Sequence, residues 1–151
     1  MKLIAHRGNL NGPDLDTENR PYHIEECIDS GYDVEIDVWY LPQSEKFYLG
    51  HDRPDYEVSW FWLAKYNASL WIHCKNLDAL ERFTYTSGYN YFWHETDKYT
   101  LTSKNYVWTF PGRPFCQKSV IVMPEWGDYD WDLLRATNCY GICTDYVEKL
   151  T

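Results

Sequence analysis

The sequence predicts an α/β protein built on a parallel sheet. Eight short apolar runs, rich in β-branched and aromatic residues, have the length and composition of strands. Helical patterns lie between several of these runs, and strands that alternate with helices favour a parallel sheet with right-handed crossovers. Eight such strands predict a compact (β/α)8 barrel of the TIM type. Because the chain has 151 residues and such barrels usually have about 250, we expect several outer helices to be shortened or missing.

Each apolar run ends in polar residues. The strand candidates are residues 3–5, 34–38, 47–49, 70–72, 91–93, 106–108, 120–123 and 140–143. Pro21 suits the first position of a helix and Gly31 suits a C-terminal cap, which predicts a helix after the first strand. Further crossover helices are predicted at 58–66, 77–86 and 131–136. The joins near 41–46 and 110–118 are too short or too rich in Pro and Gly for a full helix.

The composition indicates one globular domain over residues 1–151 and narrows the classes of partner. The chain is 44% hydrophobic and 19% aromatic, which excludes the disordered class. A formal charge of -9 and the absence of a Lys/Arg run disfavour nucleic acid as a partner.

No apolar stretch approaches the roughly 20 residues of a membrane span, and the first residues turn polar too soon for a secretory signal. We therefore expect a cytoplasmic protein, and the sequence leaves its oligomeric state open.

The five cysteines contain no CxxC pair and form an odd set. This pattern fits neither a disulfide framework nor a zinc knuckle. Reduced thiols, mostly packed in the interior, are therefore predicted.

Histidines follow the apolar runs more often than chance placement suggests. Of the five histidines, His6, His51, His73 and His94 each come directly after such a run, with one Gly before His51. In a parallel barrel the carboxyl ends of the strands open onto one face, where catalytic groups converge. We therefore expect these four histidines to line one mouth. The other polar residues expected there are Glu35, Asp37, Lys75, Glu125 and Asp145.

Glu35 and Asp37 are two residues apart in the second strand candidate, so their side chains point to the same face of the sheet. In a barrel that face is the interior beneath the mouth. Burying both carboxylates without a cation would force one of them to take up a proton, whereas a divalent ion with oxygen ligands resolves the conflict. The alternative is that Val34, Ile36 and Val38 face the helices while the two carboxylates are solvated on an edge strand.

Four short motifs follow one another along the first half of the chain. They are His6-Arg7-Gly8, Glu18-Asn19, Glu35-Ile36-Asp37 and His51-Asp52. In this order and at these intervals they resemble the glycerophosphodiester phosphodiesterase family of the phospholipase C-like phosphodiesterase barrels. The similarity continues with His73-Cys74-Lys75, where the family has Glu-x-Lys, and with the segment 141–145. The resemblance therefore spans nearly the whole chain.

The resemblance implies metal-dependent hydrolysis of a small phosphodiester, such as a glycerophosphodiester cleaved to glycerol phosphate and an alcohol. The implied roles are His6 and His51 as the acid/base pair, Arg7 and Lys75 as phosphate ligands, Glu18 and Asp145 as supporting residues, and Glu35, Asp37 and His73 as ligands of one divalent cation. These residue types suit the chemistry, because a phosphodiester anion needs positive charge around it and a proton acceptor and donor on its two sides.

Two departures from the family pattern keep the metal and the substrate open. His73 stands where the family supplies a third metal carboxylate. The family pattern implies Mg²⁺ or Ca²⁺, but an imidazole in that place would favour Mn²⁺ or Zn²⁺. Only residues 53–72 separate His51-Asp52 from His73, where the family carries an insertion that encloses the glycerol group. Two alternative functions stay open: a lipid phosphodiesterase of the sphingomyelinase D type, and a barrel that binds a phosphorylated ligand without turnover.

For both Arg7 and Lys75, the alternative to phosphate binding is a purely structural role. Arg7 could pair with Glu18 or Asp145 as a structural ion pair. Lys75 would be costly to bury alone, so either a bound phosphate or neighbouring carboxylates must compensate its charge.

Overall fold

The computed structural model describes residues 1–151, and its main element is a mixed sheet of ten strands. The strands are β1 (Lys2–His6), β2 (Asp33–Leu41), β3 (Lys46–Leu49), β4 (Tyr56–Val58), β5 (Leu70–Cys74), β6 (Asn90–Phe92), β7 (Tyr99–Leu101), β8 (Val107–Thr109), β9 (Ser119–Val122) and β10 (Gly141–Thr144). The helices are α1 (Pro21–Asp29), α2 (Trp60–Tyr66), α3 (Leu77–Thr84) and α4 (Trp131–Arg135), with short 3₁₀ turns at Pro124–Trp126 and Val147–Leu150.

The sheet contains a run of seven parallel strands, and it is antiparallel where β7 and the β3–β4 hairpin join it. Seven strands run parallel in the order β6-β5-β2-β1-β10-β9-β8, and β7 pairs antiparallel with β8. β3 and β4 form an antiparallel hairpin on the distal half of β2. The sheet curls into a half-barrel whose two margins, β6 and β7, share no strand ladder. Hydrogen bonds of Ser103 with the backbone of Tyr89 and Tyr91, and one from the Thr100 hydroxyl to the Trp93 carbonyl, connect the margins.

The predicted closed (β/α)8 barrel is wrong, although strands form at all eight predicted runs and helices at the four predicted segments. The run 47–49 pairs antiparallel with β2 instead of joining a parallel barrel. The segment 93–118 forms no α-helix, and its Pro111, Gly112 and Pro114 disfavour one. β6 and β7 have three residues each, and ladders this short leave the sheet open.

The alternation of side chains along β2 separates the two faces of the sheet. Val34, Ile36 and Val38 pack into the cluster formed with α1, α2 and α3. Glu35 and Asp37 lie on the opposite, concave face and are 2% and 0% exposed. Because β2 lies between β1 and β5, the alternative in which these carboxylates are solvated on an edge strand is wrong.

The cysteines and the helices agree with two further expectations. All five cysteines are free, four of them are buried, and Cys116 is exposed. The prediction of reduced and mostly packed thiols is therefore confirmed. None of the helices combines the length and apolar character that a bilayer span requires.

Candidate functional site

His6 and Asp145 lie side by side at the carboxyl ends of the adjacent parallel strands β1 and β10. His6 Nδ1 donates a hydrogen bond of 2.7 Å to Asp145 Oδ1, and Asn9 donates to the same oxygen at 2.8 Å. Burial alone would lower the pKa of His6, but the Asp145 hydrogen bond and the charge of Glu35 outweigh burial and raise this pKa. With the Nδ1 proton held by Asp145, Nε2 faces the site, 3.9 Å from Glu35 Oε2. Asp145 thus holds the Nδ1 proton of His6.

The three residues predicted as metal ligands, Glu35, Asp37 and His73, lie close together. One ligand atom from each residue lies within 4.8 Å of the other two. His73 Nδ1 is 3.1 Å from Asp37 Oδ1 and 3.7 Å from Glu35 Oε1. His73 Nε2 donates to the backbone carbonyl oxygen of His94 at 2.8 Å. Metal-binding histidines commonly donate their second ring N–H in this way, which fixes the ring, and here it directs Nδ1 at the two carboxylates.

One oxygen of Asp37 is buried without a hydrogen bond. Oδ2 accepts from Asn19 at 2.9 Å, but the contact between Oδ1 and His73 Nδ1 lies outside hydrogen-bonding geometry. A buried polar atom left in this state costs about 1–3 kcal/mol. A divalent cation held by Glu35, Asp37 and His73 would satisfy this oxygen, so the donor set fits such an ion.

The charges of the site leave room for a divalent cation. Five buried or half-buried carboxylates lie at the site, and two cationic side chains accompany them. The carboxylates are Glu18, Glu35, Asp37, Glu125 and Asp145, and the cations are Arg7 and Lys75. Three negative charges therefore remain while the histidines are neutral. One divalent cation would neutralise two of them, as would two protonated histidines. Burial alone would lower the pKa of His73, but its contacts with Asp37 and Glu35 raise this pKa to about 9.

Arg7 and Lys75 both point at Asp37. Arg7 has a left-handed backbone with φ 53°, and its backbone N–H donates to the Glu35 carbonyl at 2.9 Å. Its side chain lies 3.1 Å from Asp37 Oδ2 and 3.3 Å from Glu18 Oε1, so the ion pair with Glu18 that the structural alternative for Arg7 includes is present. Lys75 Nζ lies 3.5 Å from Asp37 Oδ1. Although burial opposes ionisation of Asp37, His73, Arg7 and Lys75 hold the pKa of Asp37 far below its usual range.

Asn19 lies at the site and belongs to the Glu18-Asn19 motif, but the resemblance implies no role for it. It is 1% exposed and has a left-handed backbone with φ 60°. Its side chain forms two bonds to one residue: Nδ2 donates to Asp37 Oδ2, and Oδ1 accepts from the Asp37 backbone N–H at 3.0 Å. In the sequence, the one sign of this role is the position of Asn19 in the Glu18-Asn19 motif. Asn19 therefore fixes both the main chain and the carboxylate of Asp37.

Replacing Asn19 by alanine is expected to lower the free energy of unfolding by about 3 kcal/mol, because it leaves the buried N–H and carboxylate of Asp37 without these partners. Chemical denaturation measures the loss. The matched control is Asn105→Ala, at an exposed position with a similar backbone, φ 63°. Equal losses in the two variants would show that the backbone conformation, and not the bonds to Asp37, accounts for the effect.

His51 lies beside the cluster around Asp37 but forms no hydrogen bond or ion pair with it. It follows β3, the returning strand of a hairpin, and its Nδ1 bonds Asp52 Oδ1 at 2.7 Å. Its side chain is 40% exposed, and it forms no ion pair or hydrogen bond with His6. It lines a cleft of about 330 Å³ that also includes Glu18 and Asn19. The structure thus places His51 beside the cluster, in a cleft that contains none of the three metal-ligand candidates.

Gly50 determines the position of His51. Its N–H donates to the carbonyl of Asp37 at 3.1 Å, and its own carbonyl accepts from Trp39 Nε1 at 2.7 Å. The backbone has φ 148°, and a Cβ at this position would lie 2.1 Å from the carbonyl oxygen of Arg53. Only glycine fits here without displacing the His51 loop.

Gly50→Ala is expected to lower the free energy of unfolding by about 3 kcal/mol or more, since it adds a backbone clash to an unfavourable φ. The matched control is Gly112→Ala, where φ is 73° and a Cβ would meet no atom within 4 Å. That variant should lose only about 1 kcal/mol. Denaturation curves for both compare the losses directly, and equal losses would contradict the clash with Arg53.

Comparisons with protein-family models, with curated proteins and with solved structures found no match for this chain. The resemblance to phosphodiesterases therefore stays a prediction from the sequence motifs. Any function proposed for it depends on the contacts and charges described above.

Proposed function

We propose that this protein is a metal-dependent phosphodiester hydrolase that uses His6 as its proton acceptor. The observation that carries this proposal is the buried Asp37 Oδ1, which has no hydrogen bond and lies among Glu35, His73, Arg7 and Lys75. An anionic metal-binding centre and two cationic side chains at one place suit a substrate that is itself an anion.

Glu35, Asp37 and His73 would hold the cation. When bound, a divalent ion supplies Lewis-acid stabilisation of the charge that develops on the phosphoryl oxygens. Two carboxylates and one imidazole suit Mn²⁺ or Zn²⁺ as well as Mg²⁺ or Ca²⁺, since nitrogen ligands raise affinity for the softer ions. The proposal therefore includes one divalent cation without fixing its identity.

The chain's own residues supply the remaining chemistry. His6 has its Nδ1 proton bonded to Asp145, so its Nε2 can accept a proton from the attacking hydroxyl or water. Arg7 and Lys75 lie close enough to Asp37 to offer positive charge to phosphate oxygens at the same place. His51 would donate a proton to the departing alcohol, and the neighbouring cleft of about 330 Å³ would hold that alcohol.

The test is an activity matrix with purified protein. One axis is the metal: Mg²⁺, Ca²⁺, Mn²⁺, Zn²⁺ and a chelator. The other axis is the substrate: bis(p-nitrophenyl) phosphate as a generic phosphodiester, glycerophosphocholine and a lysophospholipid. Metal-dependent release of glycerol phosphate from glycerophosphocholine is expected, whereas a cyclic phosphate lipid from the lysophospholipid would favour the sphingomyelinase D type. The absence of turnover with every pair would refute the hydrolase.

A second candidate function is the binding of a phosphorylated ligand without turnover. The observation that favours it is the exposure of His51 and the absence of any bond between His51 and His6. Equilibrium binding of a phosphate monoester in the presence of metal, combined with an inactive activity matrix, would support this second candidate.

A further inference from the structure

Glu125 is an acidic residue at the site for which the proposed function has no role. It follows β9 in the 3₁₀ turn Pro124–Trp126. Its Oε1 accepts two hydrogen bonds, one from the backbone N–H of Asp145 at 2.9 Å and one from the hydroxyl of Thr144 at 2.8 Å. One carboxylate oxygen thus holds Thr144, the last residue of β10, and Asp145, which follows it.

The turn that delivers Glu125 is strained. Met123 has a left-handed backbone with φ 45° although it is bulky and only 3% exposed. Its N–H donates to the Cys143 carbonyl at 2.8 Å, which ties the turn to β10. Such conformations persist where surrounding contacts determine them, and they concentrate at functional sites. The strain at Met123 brings Glu125 over the end of β10.

Asp145 is the link between this turn and His6. Its Oδ1 accepts from His6 Nδ1 at 2.7 Å and from Asn9 at 2.8 Å. Its backbone carbonyl accepts from Gly12 at 2.7 Å. The N–H of Asp145 has Glu125 as its partner, so the direction in which the Asp145 carboxylate points depends on Glu125.

We propose that Glu125 is a positioning residue for His6: it holds the main chain of Asp145 so that the Asp145 carboxylate keeps the Nδ1 proton of His6 and leaves Nε2 toward the site. The consequence for turnover rests on the proposed function. The arrangement itself is independent of any substrate or metal and is tested without either.

The direct test is proton NMR of metal-free protein at one fixed pH, with the variants Glu125→Ala, Glu125→Asp and Glu125→Gln. The readout is the downfield signal of the hydrogen-bonded Nδ1–H of His6, assigned by its loss in His6→Gln. Glu125→Ala removes the accepting oxygen. Glu125→Asp has a side chain that is one methylene shorter, which moves the oxygen away from Asp145. Both variants should therefore lose or shift this signal. Gln keeps an accepting oxygen in place and should retain it. Asp128→Ala, an exposed neighbour, is the matched control and should leave the signal unchanged.

The rate of bis(p-nitrophenyl) phosphate hydrolysis then measures how the loss of this positioning affects catalysis. Glu125→Ala and Glu125→Asp are expected to lower kcat roughly 10-fold, the lower end of the effect seen when a residue that orients a metal ligand is removed. KM should stay unchanged, and Gln should restore kcat. If Glu125→Ala does not fold, Glu125→Asp decides the question.

An unperturbed His6 signal in a folded Ala or Asp variant would overturn the proposal. If the parent protein hydrolyses no phosphodiester, the proposed function fails, but the NMR comparison still decides whether Glu125 positions His6.

Discussion

His6→Ala is expected to lower phosphodiester turnover by at least about 100-fold, the lower end of the usual contribution of a general acid or base. The expectation follows from the arrangement around the ring: Asp145 holds Nδ1 at 2.7 Å, and Nε2 faces Glu35. A nitrogen fixed in this way presents its free lone pair in one direction. Steady-state kinetics with bis(p-nitrophenyl) phosphate, at saturating metal, measures the loss.

His51→Ala separates a two-histidine mechanism from a one-histidine mechanism. If His51 donates the proton to the departing alcohol, its loss should also be at least about 100-fold. The loss should be smaller for bis(p-nitrophenyl) phosphate than for a glycerophosphodiester, because p-nitrophenolate leaves without a proton. His23→Ala, on the outer helix α1, is the matched histidine control.

A folded His6→Ala protein with near-parental turnover would refute the assignment of His6 as the base.

The strands were predictable from the sequence because the alternation of side chains is a local property. How the strands pair depends on contacts between residues far apart in the chain, so local patterns predict it less well. β2 continues to Leu41, past its contacts with β1 and β5, and its last residues pair with β3. A parallel connection needs a dozen or more residues, so the short join 41–46 was itself a signal for an antiparallel hairpin. The expectation of eight parallel strands does not agree with this short join.

The convergence of the site was predictable for residues at the ends of parallel strands. His6, His73 and Asp145 meet the carboxylates of β2 because the carboxyl ends of β1, β5 and β10 lie along one edge of the curled sheet. Partners that act through backbone atoms leave no mark in the sequence, and the His94 carbonyl that orients His73 is of this kind. His51 follows β3, which runs antiparallel to β2, so the convergence of parallel strand ends does not predict its position.

Removal of the divalent ion is expected to abolish turnover, and Asp37→Asn is expected to weaken metal binding by at least about 100-fold. Partners that merely orient a metal ligand contribute about 10–100-fold to affinity, so a ligand that is itself charged and 0% exposed should contribute no less. Asn keeps the shape of the side chain and the backbone bond from Asp37 to Asn19 but removes the negative charge. Calorimetric titration with Mn²⁺ measures the affinity, and activity is followed after exhaustive chelation and after the ion is returned.

The ligand set also predicts how the ion preference changes. His73→Glu replaces an imidazole by a carboxylate next to Glu35 and Asp37 and adds one negative charge, so affinity should shift from Mn²⁺ and Zn²⁺ toward Mg²⁺ and Ca²⁺. Asp128→Asn, which removes an exposed carboxylate, should change neither affinity nor preference. Full turnover in the chelated parent would mean that Arg7, Lys75 and protonated histidines neutralise the site unaided. The unbonded oxygen of Asp37 would then need an explanation other than a metal.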